Sequence, residues 1–381
     1  MAGISKIGLR NFWLQFHKWI GLLLAVLIIP LSLTGSALVW HDGLDKLVNP
    51  GRYAVSAADP RLQPEAYANA ARAVLAPGER ISSIRFEPGE PVVVTAAQPA
   101  QPNAKGRPVR TMLWLDPADA KVLDQAPSSA GLVRVLHNLH GHLMIPGVGR
   151  QVVGWLGVAM LISCVSGIWL WWPTVGSWLR GLRWRRHRNF DTNLHHLFGF
   201  WIAVPLFILS LTGAWISFPK FFAPLGGDKM EQRGRPGADP MARFRAQPLD
   251  EPVQPLATVV RDGATLASGR LASIEWPTDQ KAEWSLSFVQ EGAPPRKITV
   301  DDANGIAKSG SAREQGETTA RLMRRIHDGT GMGLLWQVII FLGGILPAIL
   351  AVTGIIMWWR ARQWRSSVQQ RQEAKRALAD T

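Results

Sequence analysis

The sequence predicts a membrane α-helical protein: a four-transmembrane-helix bundle built from two parallel repeats, with two small α+β modules outside the bilayer. Three observations predict it. First, four windows, Trp19 to Trp40, Val152 to Trp172, Leu197 to Phe218 and Leu334 to Trp359, contain no charged residue. Each reaches the roughly 20 residues that cross about 30 Å of hydrocarbon, and a soluble helix of that length would need a polar face. Second, the chain repeats itself. A shift of 178 positions sets His17 on His195, Gly21 on Gly199 and Leu31 to Gly35 on the identical Leu209 to Gly213, and a shift of 187 sets His140 on His327, Gly167 on Gly354 and Trp171-Trp172 on Trp358-Trp359. Third, the net charge of +14 is concentrated in short segments: Lys6, Arg10 and Lys18 before the first window, Arg180, Arg183, Arg185, Arg186 and Arg188 between the second and third, Arg360, Arg362 and Arg365 after the last. Basic residues in short loops mark the cytoplasmic side, which explains the charge without a nucleic-acid partner.

This topology divides the chain in order. Residues 1–41 form the cytoplasmic N-terminus and first span; its apolar stretch outruns a signal-peptide core and is expected to remain in place. Residues 42–136 form a first outer module with a helix over Pro64 to Leu75, strands over Ile81 to Glu87, Pro91 to Ala97 and Arg110 to Leu115, the turn Asp116-Pro117-Ala118-Asp119, and a last strand at Lys121 to Leu123. Residues 137–173 hold a histidine loop and the second span, 174–194 the basic cytoplasmic loop and 195–218 the third span. Residues 219–325 form a second outer module with a glycine- and proline-rich loop over 226–240, a helix over Pro255 to Ala264, and strands near Leu271 to Trp276, Glu283 to Gln290, Arg296 to Val300 and Ile306 to Lys308. Residues 326–360 hold the second histidine loop and last span, and 361–381 a cytoplasmic tail. The single cysteine, Cys164, lies inside the second span, so no disulfide forms within the chain and the residue reads as a small packing group.

Several stretches together carry a resemblance. They are His17-Lys18-Trp19-Ile20-Gly21-Leu22, Leu33-Thr34-Gly35 with Leu211-Thr212-Gly213, Leu139-His140-Gly141, Ile326-His327-Asp328-Gly329, and the closing Val352-Thr353-Gly354-Ile355-Ile356-Met357-Trp358-Trp359-Arg360. The sequence resembles the PepSY-associated transmembrane family, and within it the iron-regulated inner-membrane siderophore reductases of FoxB-like type. The resemblance covers nearly the whole chain, strongly in the spans and weakly in the outer modules, whose helix-strand pattern is similar to PepSY domains. It implies b-type haem in the membrane and reduction of a ferric siderophore, such as a ferrioxamine, at the periplasmic face of the bacterial inner membrane.

The residues point to haem by a separate route. Both repeats begin on the same side, so they are related by an axis along the membrane normal, and matched histidines face each other across it. Two imidazoles saturate the axial positions of a haem iron and make an electron-transfer centre. His17 with His195 would hold an inner haem, where Gly21 and Gly199, one turn on, leave a face clear and Ser166-Gly167 and Thr353-Gly354 arrive from the other helices. His140 with His327 would hold an outer haem flanked by Thr34-Gly35 and Thr212-Gly213. The four histidines are therefore the expected haem-iron ligands; His196, beside His195, and His137, one turn before His140, are the spare ligands. Each signal has a plainer reading: small residues line every membrane helix interface, the paired tryptophans form an interfacial belt, and His41, His142 and His187, without repeat partners, read as interfacial or solvated. Arg134, Arg150, Arg321, Arg324 and Arg325 suit carboxylates or a solvated face equally. Gly329-Thr330-Gly331-Met332-Gly333 has no preceding strand and is not a phosphate loop. No dinucleotide or flavin motif occurs, so the electron donor is expected to be a quinol or a cytoplasmic reductase. A transporter using the histidines as a proton relay, or a scaffold binding a periplasmic partner, are the competing classes. Four spans without an acidic residue make the first hard to build, and the second leaves the paired histidines unexplained.

Overall fold

The computed structural model describes residues 6–99, 108–172, 177–222, 224–226, 245–293, 295–310 and 318–379. They fall into two compact units, Met1–His41 with Val135–Lys229 and Thr318–Thr381, and Asp42–Arg134 with Met230–Glu317. Beyond Gly226, the loop expected over 226–240 lies outside the described residues.

The first unit is helical. Its long helices are α1 (Lys6–Val39), α5 (Gly149–Trp171), α6 (Phe190–Ser217) and α9 (Gly333–Ala379), with the shorter α4 (Leu132–His142) and α8 (Thr319–Asp328) leading into α5 and α9. The four long helices are long and apolar enough to cross a membrane. Their outward residues stay bare: Val26 is 76% exposed on α1, Val165 61% on α5, Val204 66% on α6 and Leu335 76% on α9, a surface suited to lipid and costly in water. Three helices run well past the uncharged windows, α6 beginning at Phe190 rather than Leu197. α1 begins at Lys6, and α9 continues from Trp359 to Ala379 because Arg, Gln, Glu, Lys and Ala follow with neither Gly nor Pro to stop them.

Small residues set the helix contacts. α1 lies along α9, where Ser36 Oγ donates to the Phe341 carbonyl at 2.6 Å and a side chain at Gly344 would meet the Ser32 carbonyl. α5 lies along α6, where a Cβ at Gly157 would stand 3.2 Å from the Ser210 carbonyl, and α6 also packs on α9. Close backbone approach of this kind replaces the hydrophobic drive that lipid removes.

The second unit is one antiparallel sheet with helices on it. The strands are β1 (Arg80–Arg85), β2 (Val92–Ala97), β3 (Arg110–Leu115), β4 (Val122–Pro127), β5 (Arg270–Glu275), β6 (Glu283–Val289), β7 (Arg296–Asp301) and β8 (Ala307–Ser309). Their order is β4-β3-β2-β1-β5-β6-β7-β8. The two outer modules are thus joined edge to edge, β1 against β5, with Ser83 opposite Glu275, Ile84 opposite Ile274 and Arg85 opposite Ser273. Each side of the seam keeps its own helix, α3 (Pro64–Arg72) and α7 (Leu256–Ala264), contributing Tyr67, Ala68, Ala71, Leu256 and Val259 to one core with Ile84, Val94, Leu113, Ile274, Trp284, Leu286 and Ile298. Strand alternation is clearest in β6, where Trp284, Leu286 and Phe288 are buried and their neighbours are not. The helix α2 (His41–Val48) follows α1; beyond it Arg52 bridges Asp45 and Asp124 and lies 3.7 Å over the Trp114 ring.

Candidate functional site

Each of the four matched histidines hands its Nδ1–H to another helix. His140 lies in the last turn of α4, and its Nδ1 lies 2.8 Å from the Leu31 carbonyl of α1. His327 lies in the last turn of α8, and its Nδ1 lies 3.1 Å from the Leu209 carbonyl and 3.0 Å from Thr212 Oγ1, both on α6. A carbonyl only accepts, so in both rings Nδ1 carries the proton. On α1, His17 Nδ1 lies 2.8 Å from Ser166 Oγ of α5, and on α6, His195 Nδ1 lies 3.0 Å from Thr353 Oγ1 of α9. Ser166 already donates to the Ser163 carbonyl, and Thr353 to those of Ile349 and Leu350, so these hydroxyls accept as well. All four imidazoles are therefore Nδ1–H tautomers with the lone pair on Nε2, the form that binds a metal while its other nitrogen is held in place.

Glycines make these contacts possible. A Cβ at Gly35 would stand 2.7 Å from His140 Cε1, one at Gly213 3.1 Å from His327 Cε1, one at Gly167 3.3 Å from His17 Cε1 and one at Gly354 3.5 Å from His195 Cε1. Each ring rests on a bare stretch of neighbouring backbone. Gly21 and Gly199 serve differently: beside Gly21 nothing lies within 4 Å, and beside Gly199 only Leu350 Cδ2 comes to 4.0 Å, so both leave space one turn beyond His17 and His195.

The local sequence explains how the histidine helices are set. Thr318 caps α8 by accepting from the Arg321 N–H, Gly329 closes it in the left-handed region at φ 80°, and Trp336 Nε1 ties the Ile326 carbonyl to α9 at 2.8 Å. α4 ends at His142, where Leu143 and Met144 take φ of 53° and 58°, uncommon for residues with a Cβ and a local strain at the turn into α5. His140 and His327 consequently sit on short helices, with the broken stretches at 143–148 and 329–332 following them.

The rings of His140 and His327 are brought together, their centroids 6.0 Å apart and tilted by 38°. Two imidazoles on opposite sides of one metal have centroids about 6.3 Å apart, given a metal–nitrogen bond of about 2.0–2.1 Å and about 1.1 Å from nitrogen to ring centre. The spacing fits. Among the described residues no group of three or more His, Cys, Asp or Glu gathers to hold a metal ion. A metal here would accordingly take two ligands from the protein and the rest from a bound group, as a macrocycle provides.

Other expected site residues are placed less symmetrically. Thr212 accepts from His327, whereas Thr34 turns its hydroxyl to the Pro30 and Leu31 carbonyls of its own helix. Of the spare ligands, His196 stacks on His187 at 4.4 Å and His137 meets His41 edge-on at 6.3 Å. His187 is thus packed against another ring, its loop clamped by the buried Asn193, which accepts from the His187 N–H and donates to the His187 carbonyl. Arg150 donates to the Ile216 carbonyl at the end of α6, and Arg325 to that of Thr330. Missing from the sequence reading are the Leu31 and Leu209 carbonyls; the identical Leu31-to-Gly35 and Leu209-to-Gly213 stretches, carrying a carbonyl and a glycine four residues apart, were the signal.

The model of the PepSY-associated TM region matches residues 14–361, from before His17 to beyond Trp359. The chain belongs to the PepSY-associated transmembrane family. No curated protein matches it. The match spans the helical unit and both halves of the sheet, so the PepSY-associated region here is a membrane bundle with α+β modules inserted between its helices.

Proposed function

We propose that this PepSY-associated protein is a di-haem electron-transfer protein of the bacterial inner membrane that reduces a ferric siderophore at its periplasmic face. The observation that carries the reading is the His140–His327 pair, 6.0 Å between ring centres with both Nδ1–H groups committed to backbone carbonyls. In this reading His140 and His327 hold an outer haem b, His17 and His195 an inner one. When bound, haem supplies a one-electron Fe(III)/Fe(II) couple, and bis-histidine ligation suits electron transfer rather than oxygen binding.

The chain's own residues orient and exclude. Ser166 and Thr353 fix the inner imidazoles, and the Leu31 and Leu209 carbonyls the outer ones, so neither ring rotates away from its partner. Gly21 and Gly199 keep space beside the inner pair. The matched contacts of His17 with α5 and His195 with α9, and of His140 with α1 and His327 with α6, support two parallel repeats about an axis along the membrane normal. Both termini and the basic loop between α5 and α6 lie on the cytoplasmic side, which leaves the sheet in the periplasm. In this reading groups held by the His17–His195 and His140–His327 pairs would supply one-electron transfer from the cytoplasmic side to a ferric chelate in the periplasm. Fe(III) becomes Fe(II), which oxygen donors hold less tightly.

The test is optical. Purified protein should be red, with a Soret band that shifts on dithionite and a pyridine-haemochrome count of about two per chain. Replacing His140 or His327 by alanine should remove one haem and stop reduction of an external chelate while the inner haem stays reducible. A colourless, iron-free protein would falsify the reading.

A further inference from the structure

A groove of about 400 Å³ opens between α6 and α9 at the His195 end of the bundle, lined by Asn189, Thr192, Met357, Arg360, Ala361 and Trp364. The face it borrows from α9, Met357, Ala361 and Trp364, follows helical spacing and offers a thioether, a gap and an indole. α6 contributes the polar wall. Arg360 Nη1 and Nη2 donate to the two carboxylate oxygens of Asp191, each at 2.7 Å, and Nη2 donates to Thr192 Oγ1 at 3.0 Å. Of the five guanidinium N–H donors this leaves Nε–H and one on Nη1.

Three features identify an occupant. The groove lies where the uncharged window ends at Trp359 and the basic tail begins, the depth at which a lipid-soluble molecule presents a polar head. Its only lining charge, Arg360, is already balanced by Asp191, so an uncharged head suits it better than an anionic phosphate. It also shares both helices with His195: Thr192 lies one turn before His195, and Met357 one turn after Thr353, which receives the His195 proton.

We infer that this groove binds a neutral membrane quinol and is the electron entry site. The inference rests on the electron-transfer function proposed above. A quinol leaving as quinone gives up two electrons and two protons. The electrons pass singly toward His195 and finally reduce two ferric ions to ferrous; the protons go to water at the open side of the groove.

The experiment is photolabelling of the purified full-length protein with an azido-benzoquinone, mapped by peptide mass spectrometry. Label is expected within residues 357–364 or 189–192 and should be competed by an unlabelled short-chain quinone. Ala361→Trp, which fills the groove, should weaken it by about tenfold or more. Trp364→Ala, at a position 67% exposed, should weaken it without threatening the fold. Labelling that both variants leave unchanged, or that phosphatidylglycerol displaces and quinone does not, overturns the inference; the second result marks a phospholipid site. The absorption spectrum of the same sample keeps the two readings apart. Haem without groove labelling removes the quinol site alone, and labelling without haem removes the electron-transfer reading.

Discussion

At the residue scale the site depends on hydrogens and on missing methyl groups. Gly35 and Gly213 admit the His140 and His327 rings to the Leu31 and Leu209 carbonyls, and the added Cβ would be 2.7 Å from Cε1 at the first and 3.1 Å at the second. Gly35→Ala is therefore expected to lower the outer haem count more than Gly213→Ala, with the inner haem retained in both, as pyridine-haemochrome stoichiometry will read. Thr212 and Thr34 make a sharper pair. Removing an acceptor from a ligating imidazole makes it less basic and raises the potential. Thr212→Val should raise the outer midpoint by about 20–60 mV, the equivalent of one hydrogen bond of about 0.5–1.5 kcal/mol, while Thr34→Val leaves it unmoved because that hydroxyl serves its own helix. A redox titration that shifts equally for both sinks the assignment. The histidines and the glycines beside them were legible in the sequence because the repeat placed them in register. Ser166 and Thr353 were expected beside His17 and His195 although 149 and 158 positions away, whereas the carbonyl partners of His140 and His327 were signalled only by the repeated stretches that hold them, since a backbone oxygen has no residue type of its own.

At the element scale the long spans were the most legible part, because an uncharged run longer than a bilayer crossing has few other fates. The strands of both modules were legible to within a few residues from alternation and turn residues, and α9's continuation to Ala379 was open to the same reading from its helix-forming composition. Less visible was the means by which loops are pinned to the sheet. Asp116 accepts from the Ser56 and Ala118 N–H groups and the Ser56 hydroxyl; Asp302, its counterpart after β7, accepts from the Val253 and Gln254 N–H groups and from Trp284 Nε1. Burial raises the Asp116 carboxyl, but the donors from Ala118 and Ser56 outweigh it and hold the group below the usual carboxylate range. A folded pKa below the unfolded one stabilises above the ordinary carboxylate range, and that contribution fades as pH falls through the lowered value. Asp116→Asn is expected to cost about 1–3 kcal/mol near neutrality and to flatten the loss of stability below about pH 4. Thermal unfolding of the full protein across pH, followed by circular dichroism of the strand signal, checks both.

At the scale of the whole molecule, the sequence suggests two modules and the structure joins them in one eight-stranded sheet. Nothing in β1 or β5 names its partner: neither alternates cleanly, each carries a register shift, and Ile84 and Ile274 find each other across 190 residues of chain. Both are fully buried, so Ile84→Ala or Ile274→Ala should cost about 2–5 kcal/mol. Either change should raise hydrogen exchange on both sides of the seam, in β2–β3 and in β6–β7; loss confined to the mutated half would show two independently stable modules. The acceptors of the four imidazole protons bear on how firmly each ring is held and how electron-rich it is. Hydroxyl oxygens face the His17 and His195 protons, a peptide oxygen faces that of His140, and a peptide and a hydroxyl oxygen share that of His327. A peptide oxygen draws the proton harder and makes the ring a better donor to ferric iron. Under the proposed di-haem reading His140 would be the most electron-rich of the four ligands, by way of a backbone oxygen that no substitution at position 31 removes.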